Sequence, residues 1–184
     1  MSWMEEEYLN SSVVMKGDYP YFINAISDGN PPVTKELMDE FVDRVLEKTD
    51  IDCDVILAPE AMAIQYATAL TVRTGVPFQI IRKRKQGLPG EIVFDQSTAY
   101  SKSQMYINFL KSGTRVAIVD DVLSTGGTMR AIVNELRRNG IIVEKAIIVL
   151  NKSNDAQSLA KELGIELVTL LDVAVKDGKP VLRD

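Results

Sequence analysis

Two adjacent carboxylates, Asp120 and Asp121, end an apolar run, and a turn of Ser124, Thr125, Gly126, Gly127 and Thr128 follows in the string VAIVDDVLSTGGT. Neighbouring acids repel each other unless a divalent cation or a pair of donating hydroxyls neutralises them. The turn supplies a different chemistry. Its hydroxyls and the backbone approach allowed by Gly126 and Gly127, with the unpaired N–H groups of a following helix, make a phosphate cradle. A diol or metal at the acids and a phosphate at the turn together describe a ribose 5-phosphate. Other phosphate motifs fail on particular residues: a P-loop needs Gly-Lys-Ser/Thr, and no G-x-G-x-x-G follows the strand. The plain alternative is a solvated strand end followed by a helix cap.

Composition narrows the chemistry further. The chain has no histidine and one cysteine, Cys53. Intrachain disulfides, Cys/His zinc sites and histidine acid–base catalysis are therefore excluded. Carboxylates, backbone amides and bound magnesium must do the work. A formal charge of −5 argues against a surface that coats nucleic acid, so a polyanionic ligand would need a local basic cluster. Apolar runs such as AIIVL are strand-sized, far below the roughly 20 residues of a membrane span. The acidic start MSWMEEEYLN is unlike a secretory signal, and a cytoplasmic location is expected. At 184 residues with 46% hydrophobic content, a single soluble domain over 1–184 is expected.

The elements that must position these residues follow from periodicity. Leu37, Phe41 and Val45 share one line in ELMDEFVDRVL, an amphipathic helix over Glu36 to Leu46. CDVILA (Cys53 to Ala58) reads as a buried strand, and the helix after it stops at Gly75. VPFQIIRKRK (Val76 to Lys85) and RVAIVDD read as strands, GTMRAIVNELRRNG (Gly127 to Gly140) as a helix, and EKAIIVLNK (Glu144 to Lys152) as a strand. Such alternation predicts an α/β fold with an open, mainly parallel sheet flanked by helices. Ligands then sit beyond the carboxyl ends of the strands, where Asp120 and Asp121 fall. The polar stretch Gln86 to Gln104 is longer than most connections and reads as a functional lid.

VAIVDDVLSTGGT closely resembles the phosphoribosyl-pyrophosphate (PRPP) motif of the type I phosphoribosyltransferases. FINAISDGNPPV (Phe22 to Val33), IIRKRKQGLPGE and YSKSQMYINFLKSGTRVAIVDD resemble the purine-seating, loop-entry and return segments of adenine phosphoribosyltransferases. The overall likeness is closest to the archaeal-type hypoxanthine/guanine enzymes, which share that framework. The resemblance implies the type I fold, with a small base-binding hood from about 1–34 and the C-terminal segment. It also implies transfer of ribose 5-phosphate from PRPP to a purine, with Mg²⁺ and a homodimer.

By resemblance, Asp120 and Asp121 hold the ribose hydroxyls near the PRPP-bound magnesium, and Ser124, Thr125, Gly126, Gly127 and Thr128 hold the 5′-phosphate. Pro59, Glu60, Ala61 and Met62 match the pyrophosphate loop, although Met62 starts the pair Met-Ala where adenine enzymes carry Arg-Gly. Arg82, Lys83, Arg84 and Lys85 can compensate. Strand alternation would put Arg82 and Arg84 on one face and Lys83 and Lys85 on the other, one pair meeting pyrophosphate; the alternative is a solvated edge strand blunted by lysines. Ile26 and Lys152 are the base candidates. Lys152 suits a 6-oxo group, and Ala99 stands where adenine enzymes place a glutamate, whereas Ser124 replaces an aspartate of many 6-oxopurine enzymes. Hypoxanthine and guanine are therefore favoured over adenine. The alternatives are an adenine enzyme, a PRPP sensor without turnover, or a magnesium site of a phospho-acceptor or hydrolase domain.

Overall fold

In a computed structural model that describes residues 1–17, 19–97 and 102–183, the chain runs α1 (Trp3–Leu9), β1 (Ser12–Lys16), β2 (Tyr19–Ile23), α2 (Ala25–Asp28), α3 (Lys35–Lys48), β3 (Val55–Pro59), α4 (Ala63–Thr74) and β4 (Phe78–Ile81). It continues through β5 (Ile92–Ser97), β6 (Lys102–Ile107), β7 (Arg115–Leu123), α5 (Gly127–Arg138), β8 (Ile142–Asn151), α6 (Ala156–Leu163), β9 (Glu166–Lys176) and β10 (Lys179–Leu182). The central sheet has six strands in the order β10-β9-β8-β7-β3-β4, all pairs parallel except the β9–β10 edge. This is the expected α/β architecture. Among the described residues no helix is long and apolar enough to cross a membrane.

Alternation along the central strands divides the core between two faces. Ile56, Ala58, Val119, Ile147 and Val149 pack with α1, α3 and α4, while Leu57, Ile118, Ala146 and Ile148 pack with α5 and α6. α3 begins at a Thr34 side-chain cap and buries Leu37, Phe41, Val42 and Val45, the face its spacing predicts. α4 ends at Gly75 with φ +79°, the left-handed stop read from the sequence. The β1–β2 hairpin, α1 and α2 make up the N-terminal segment. Tyr8 is buried, with its ring edge-on to Phe22 at 5.3 Å and its hydroxyl donating to the Ala174 carbonyl at 2.7 Å. Leu170, Leu171 and Val173 belong to the same core as Tyr8 and Phe22.

Two expectations are corrected. The strand read as Val76 to Lys85 runs only from Phe78 to Ile81, because β3, its neighbour, ends opposite Ile81 at Pro59. Beyond it only Arg82 bonds across, to Tyr106, so strand alternation does not sort Arg82 to Lys85; all four are exposed. The stretch Gln86 to Gln104 is also not a plain loop, since β5 and β6 pair as an antiparallel hairpin. Ile92, Phe94, Met105 and Ile107 turn inward to the α5 side of the core and give the ribbon a buried face. Ala99 and Tyr100, on which an adenine-type acid was sought, lie outside the described residues.

Candidate functional site

The carboxyl ends of β3, β7 and β8 converge on one edge of the sheet. β7 carries Asp120 and Asp121, both half-buried, and alternation sends them to different places. Asp120 lines a cavity of about 90 Å³ with Val122, Leu123 and the turn Ser124 to Thr128. Asp121 lines a second cavity of about 160 Å³ with Tyr21, Phe22, Ser27, Val122 and Lys152. The two adjoin at Val122.

The first cavity is a cradle built by backbone. Gly126 precedes α5 with φ +77° and as the cap residue offers no side chain, while the Gly127 N–H donates to Thr125 Oγ1 within the turn at 3.4 Å. Arg130, one turn into α5, reaches back to the Thr125 carbonyl at 2.9 Å and is gripped by Glu162 of α6 at 2.8 Å. A Cβ at Gly126 would lie 2.8 Å from Leu159 Cδ2, so α6 packs directly on the turn. That packing, with the positive φ, requires glycine here.

The carboxylates are held under electrostatic tension. Burial raises Asp120 well above its ordinary range, the neighbouring Asp121 adds to the effect, and the Lys83 charge opposes it. Asp120 Oδ1 accepts the Asp121 N–H at 3.0 Å. Burial also raises Asp121, against bonds from Asp120 and nearby amides, and the Asp28 charge adds to the rise. Both acids thus take up a proton more readily in the folded chain than in water, and a cation or donating hydroxyls would relieve the cost of their burial.

Beside them, Pro59 to Met62 form the turn between β3 and α4, with a cis Glu60–Ala61 peptide. Glu60 binds the basic segment to this turn: its Oε1 accepts the Lys83 N–H at 2.9 Å, and its own N–H donates to Ile81 at 2.9 Å. This holds the Lys83 backbone beside the turn, and the Lys83 charge acts on Asp120. Arg82 and Lys85 are exposed nearby along the chain, and Lys85 acts on Glu91.

The second cavity joins residues distant in sequence. Lys152 follows β8, and its N–H donates to the Leu123 carbonyl at 2.8 Å, which fixes it beside β7. Its ammonium donates to the Pro20 carbonyl at 2.9 Å and sits 5.3 Å from the centre of the Phe22 ring. Tyr21 stacks against Phe22 at 6.4 Å. Ile26, a base candidate by resemblance, is fully buried in the core, its carbonyl accepting the Tyr66 hydroxyl at 2.7 Å. On a short helix adjacent residues face apart, so Ser27 takes the cavity position. Ser27 and Val122 were not singled out from sequence, although the segment carrying Ser27 was.

The chain matches the phosphoribosyl transferase domain family over residues 30–177. It is 44% identical to the hypoxanthine/guanine phosphoribosyltransferase of Methanohalophilus mahii, over 98% of this chain and 95% of that protein. The enzyme of the same name from Methanothermobacter thermautotrophicus is 39% identical over 98% of this chain and 94% of its own length. The crystal structure of adenine phosphoribosyltransferase from Thermoanaerobacter pseudethanolicus superposes with a TM-score of 0.73 at 22% identity, covering 92% of this chain and 99% of that one.

Proposed function

Because the chain belongs to the phosphoribosyl transferase domain family, we propose that it transfers ribose 5-phosphate from PRPP to hypoxanthine or guanine, giving IMP or GMP and pyrophosphate. One observation carries the reading: the cradle lined by Asp120 and the cavity lined by Asp121 and Lys152 meet at Val122, so a ribose phosphate and a base can lie side by side. The 5′-phosphate is held by Ser124, Thr125, Thr128 and the amides at Gly126 and Gly127. Asp120 and Asp121 accept bonds from the ribose hydroxyls, which also relieves their burial.

Pyrophosphate leaves beside the Pro59 to Met62 turn, where Lys83, whose charge acts on Asp120, and the exposed Arg82 and Lys85 meet it. Among the described residues no three acidic, thiol or imidazole groups cluster as a metal cage. Asp120 and Asp121 are hard oxygen donors that fit Mg²⁺ carried mainly by PRPP oxygens. When bound, Mg²⁺ stabilises negative charge on the departing pyrophosphate. The protein positions the reacting C1′ between the two cavities. Closure of the β5–β6 hairpin over them would exclude water. The same reading includes a homodimer in the cytoplasm, which membership of this family suggests.

Lys152 supports a 6-oxopurine over adenine. The Pro20 carbonyl fixes its direction, and an ammonium can donate to a 6-oxygen but not accept from a 6-amino group. The likeness to solved adenine enzymes, at 22% identity, concerns the fold. The test is nucleotide formation from PRPP and Mg²⁺ with hypoxanthine, guanine, xanthine, adenine, uracil and orotate. Turnover of hypoxanthine and guanine is expected; turnover of adenine alone, or PRPP binding without turnover of any base, overturns the assignment. Lys152→Ala should raise the KM for guanine by roughly tenfold to a hundredfold, with little change in the KM for PRPP. An unchanged guanine KM would remove Lys152 from the base site.

A further inference from the structure

Behind the wall of the base cavity, a small network commits hydroxyl protons. Ser27, nine-tenths buried, donates from Oγ to Asp28 Oδ2 at 2.6 Å, with Asn24 Oδ1 a second acceptor at 3.2 Å. The amide of Asn24 has its orientation set from both ends. Its Oδ1 accepts the Ser27 N–H at 2.9 Å, and its Nδ2 donates to Ser11 Oγ at 2.8 Å. Asp28 Oδ1 also accepts the Tyr21 hydroxyl at 2.7 Å. An ionised carboxylate only accepts, and a hydroxyl has one hydrogen to give. Both acceptors within reach of Ser27 draw that hydrogen away from the cavity.

We propose that Ser27 and Asp28 form the second half of a donor–acceptor code for the base: Asp28 holds the Ser27 proton, so Ser27 Oγ faces the cavity as an acceptor for a ring or amino N–H of a 6-oxopurine. The proposal rests on the functional reading above and deepens it. Lys152 and Ser27 line the same cavity, one offering N–H groups and the other lone pairs. The edge of hypoxanthine or guanine presents an oxygen acceptor at C6 next to an N–H donor at N1, and guanine adds an amino donor at C2. Adenine reverses the first two, so its amino group would meet an ammonium and its bare nitrogen a lone pair. Buried mismatches of this kind discriminate more strongly than missing contacts, because polar groups are left unpaired. Ser27 touches the base; Asp28 is a positioning residue that acts through it.

Steady-state kinetics of Ser27→Ala and Asp28→Asn with guanine, hypoxanthine and adenine test this. Ser27→Ala should lower kcat/KM for guanine and hypoxanthine by roughly tenfold, through the base KM, with the PRPP KM unchanged and the adenine rate raised as the mismatched lone pair is removed. Asp28→Asn puts an amide donor within reach of the hydroxyls and frees the Ser27 proton to turn inward, so the guanine-to-adenine ratio should fall in the same direction. Calorimetric binding of GMP and AMP reads the same ratio where turnover is too low to measure. An unchanged ratio in both variants, or an equal fall for all bases with a raised PRPP KM, overturns the proposal. Wild-type preference for adenine overturns the functional reading itself, and is seen before any variant is made.

Discussion

Replacing both acids, as Asp120→Asn/Asp121→Asn, is expected to lower kcat/KM for PRPP by about a thousandfold while raising the temperature of unfolding. The loss follows from two charge-assisted hydrogen bonds to ribose hydroxyls, each of about 1.5–3 kcal/mol. The gain in stability follows from burial, the main cause that lifts both acids above their ordinary value of 3.8. A group whose folded pKa is raised binds its proton more readily in the folded chain. Its stabilising contribution is full below about pH 4 and is lost as pH rises through the folded value. At neutral pH the ionised acids therefore oppose folding, and neutral amides remove that opposition. Thermal unfolding of wild type and variant without PRPP, compared at pH 5 and pH 8, should show the variant's advantage growing with pH. Retained turnover would remove the acids from the ribose site, and an advantage independent of pH would show that burial is not what destabilises them.

Gly126→Ala should damage both binding and stability. The residue sits at φ +77°, where a side chain costs about 1–3 kcal/mol. The new Cβ would also lie 2.8 Å from Leu159 Cδ2 and 3.0 Å from Arg130 Nη1. Leu159 anchors α6 in the core, and Arg130 ties the turn to Glu162, so relief moves the cradle's own supports. A rise of at least tenfold in the PRPP KM is expected, with a fall of roughly 2–10 °C in the unfolding midpoint. A variant that binds PRPP normally would show that the turn's backbone is not the phosphate site. Gly75→Ala is the useful comparison: its φ is +79°, but nothing lies within 4 Å of the added carbon, and it ends α4 at the end away from the Pro59 to Met62 turn. It should lose stability without losing PRPP affinity.

Much of the fold was legible because its signals are local. The i, i+4 spacing of Leu37, Phe41 and Val45 set the buried face of α3, and the glycine after Arg73 and Thr74 set the end of α4. The unbroken apolar run before Asp120 marked a strand covered on both faces. The β5–β6 ribbon was missed because Gly-Leu-Pro-Gly and the polar residues of the stretch outweighed the alternation of Ile92 with Phe94 and of Met105 with Ile107. The end of β4 was missed for another reason. Nothing in IIRKRK marks Ile81 as the last paired residue, because the length of β3 decides it.

The sequence by itself determined the family, the alternating fold and the placement of two acids and a small-residue turn at a strand end, since each depends on residues within one turn or strand of one another. Only the tertiary structure decided which acid lines which cavity, that Ser27 lines the cavity of Asp121 while Ile26 is buried in the core, and that the Lys83 charge acts on Asp120. It also decided the direction of Lys152, through a bond to Pro20 across 132 positions of chain. Such choices follow from packing the N-terminal segment and the sheet against one another, and a side chain's local period records only the face it takes, not the distant element it will meet there.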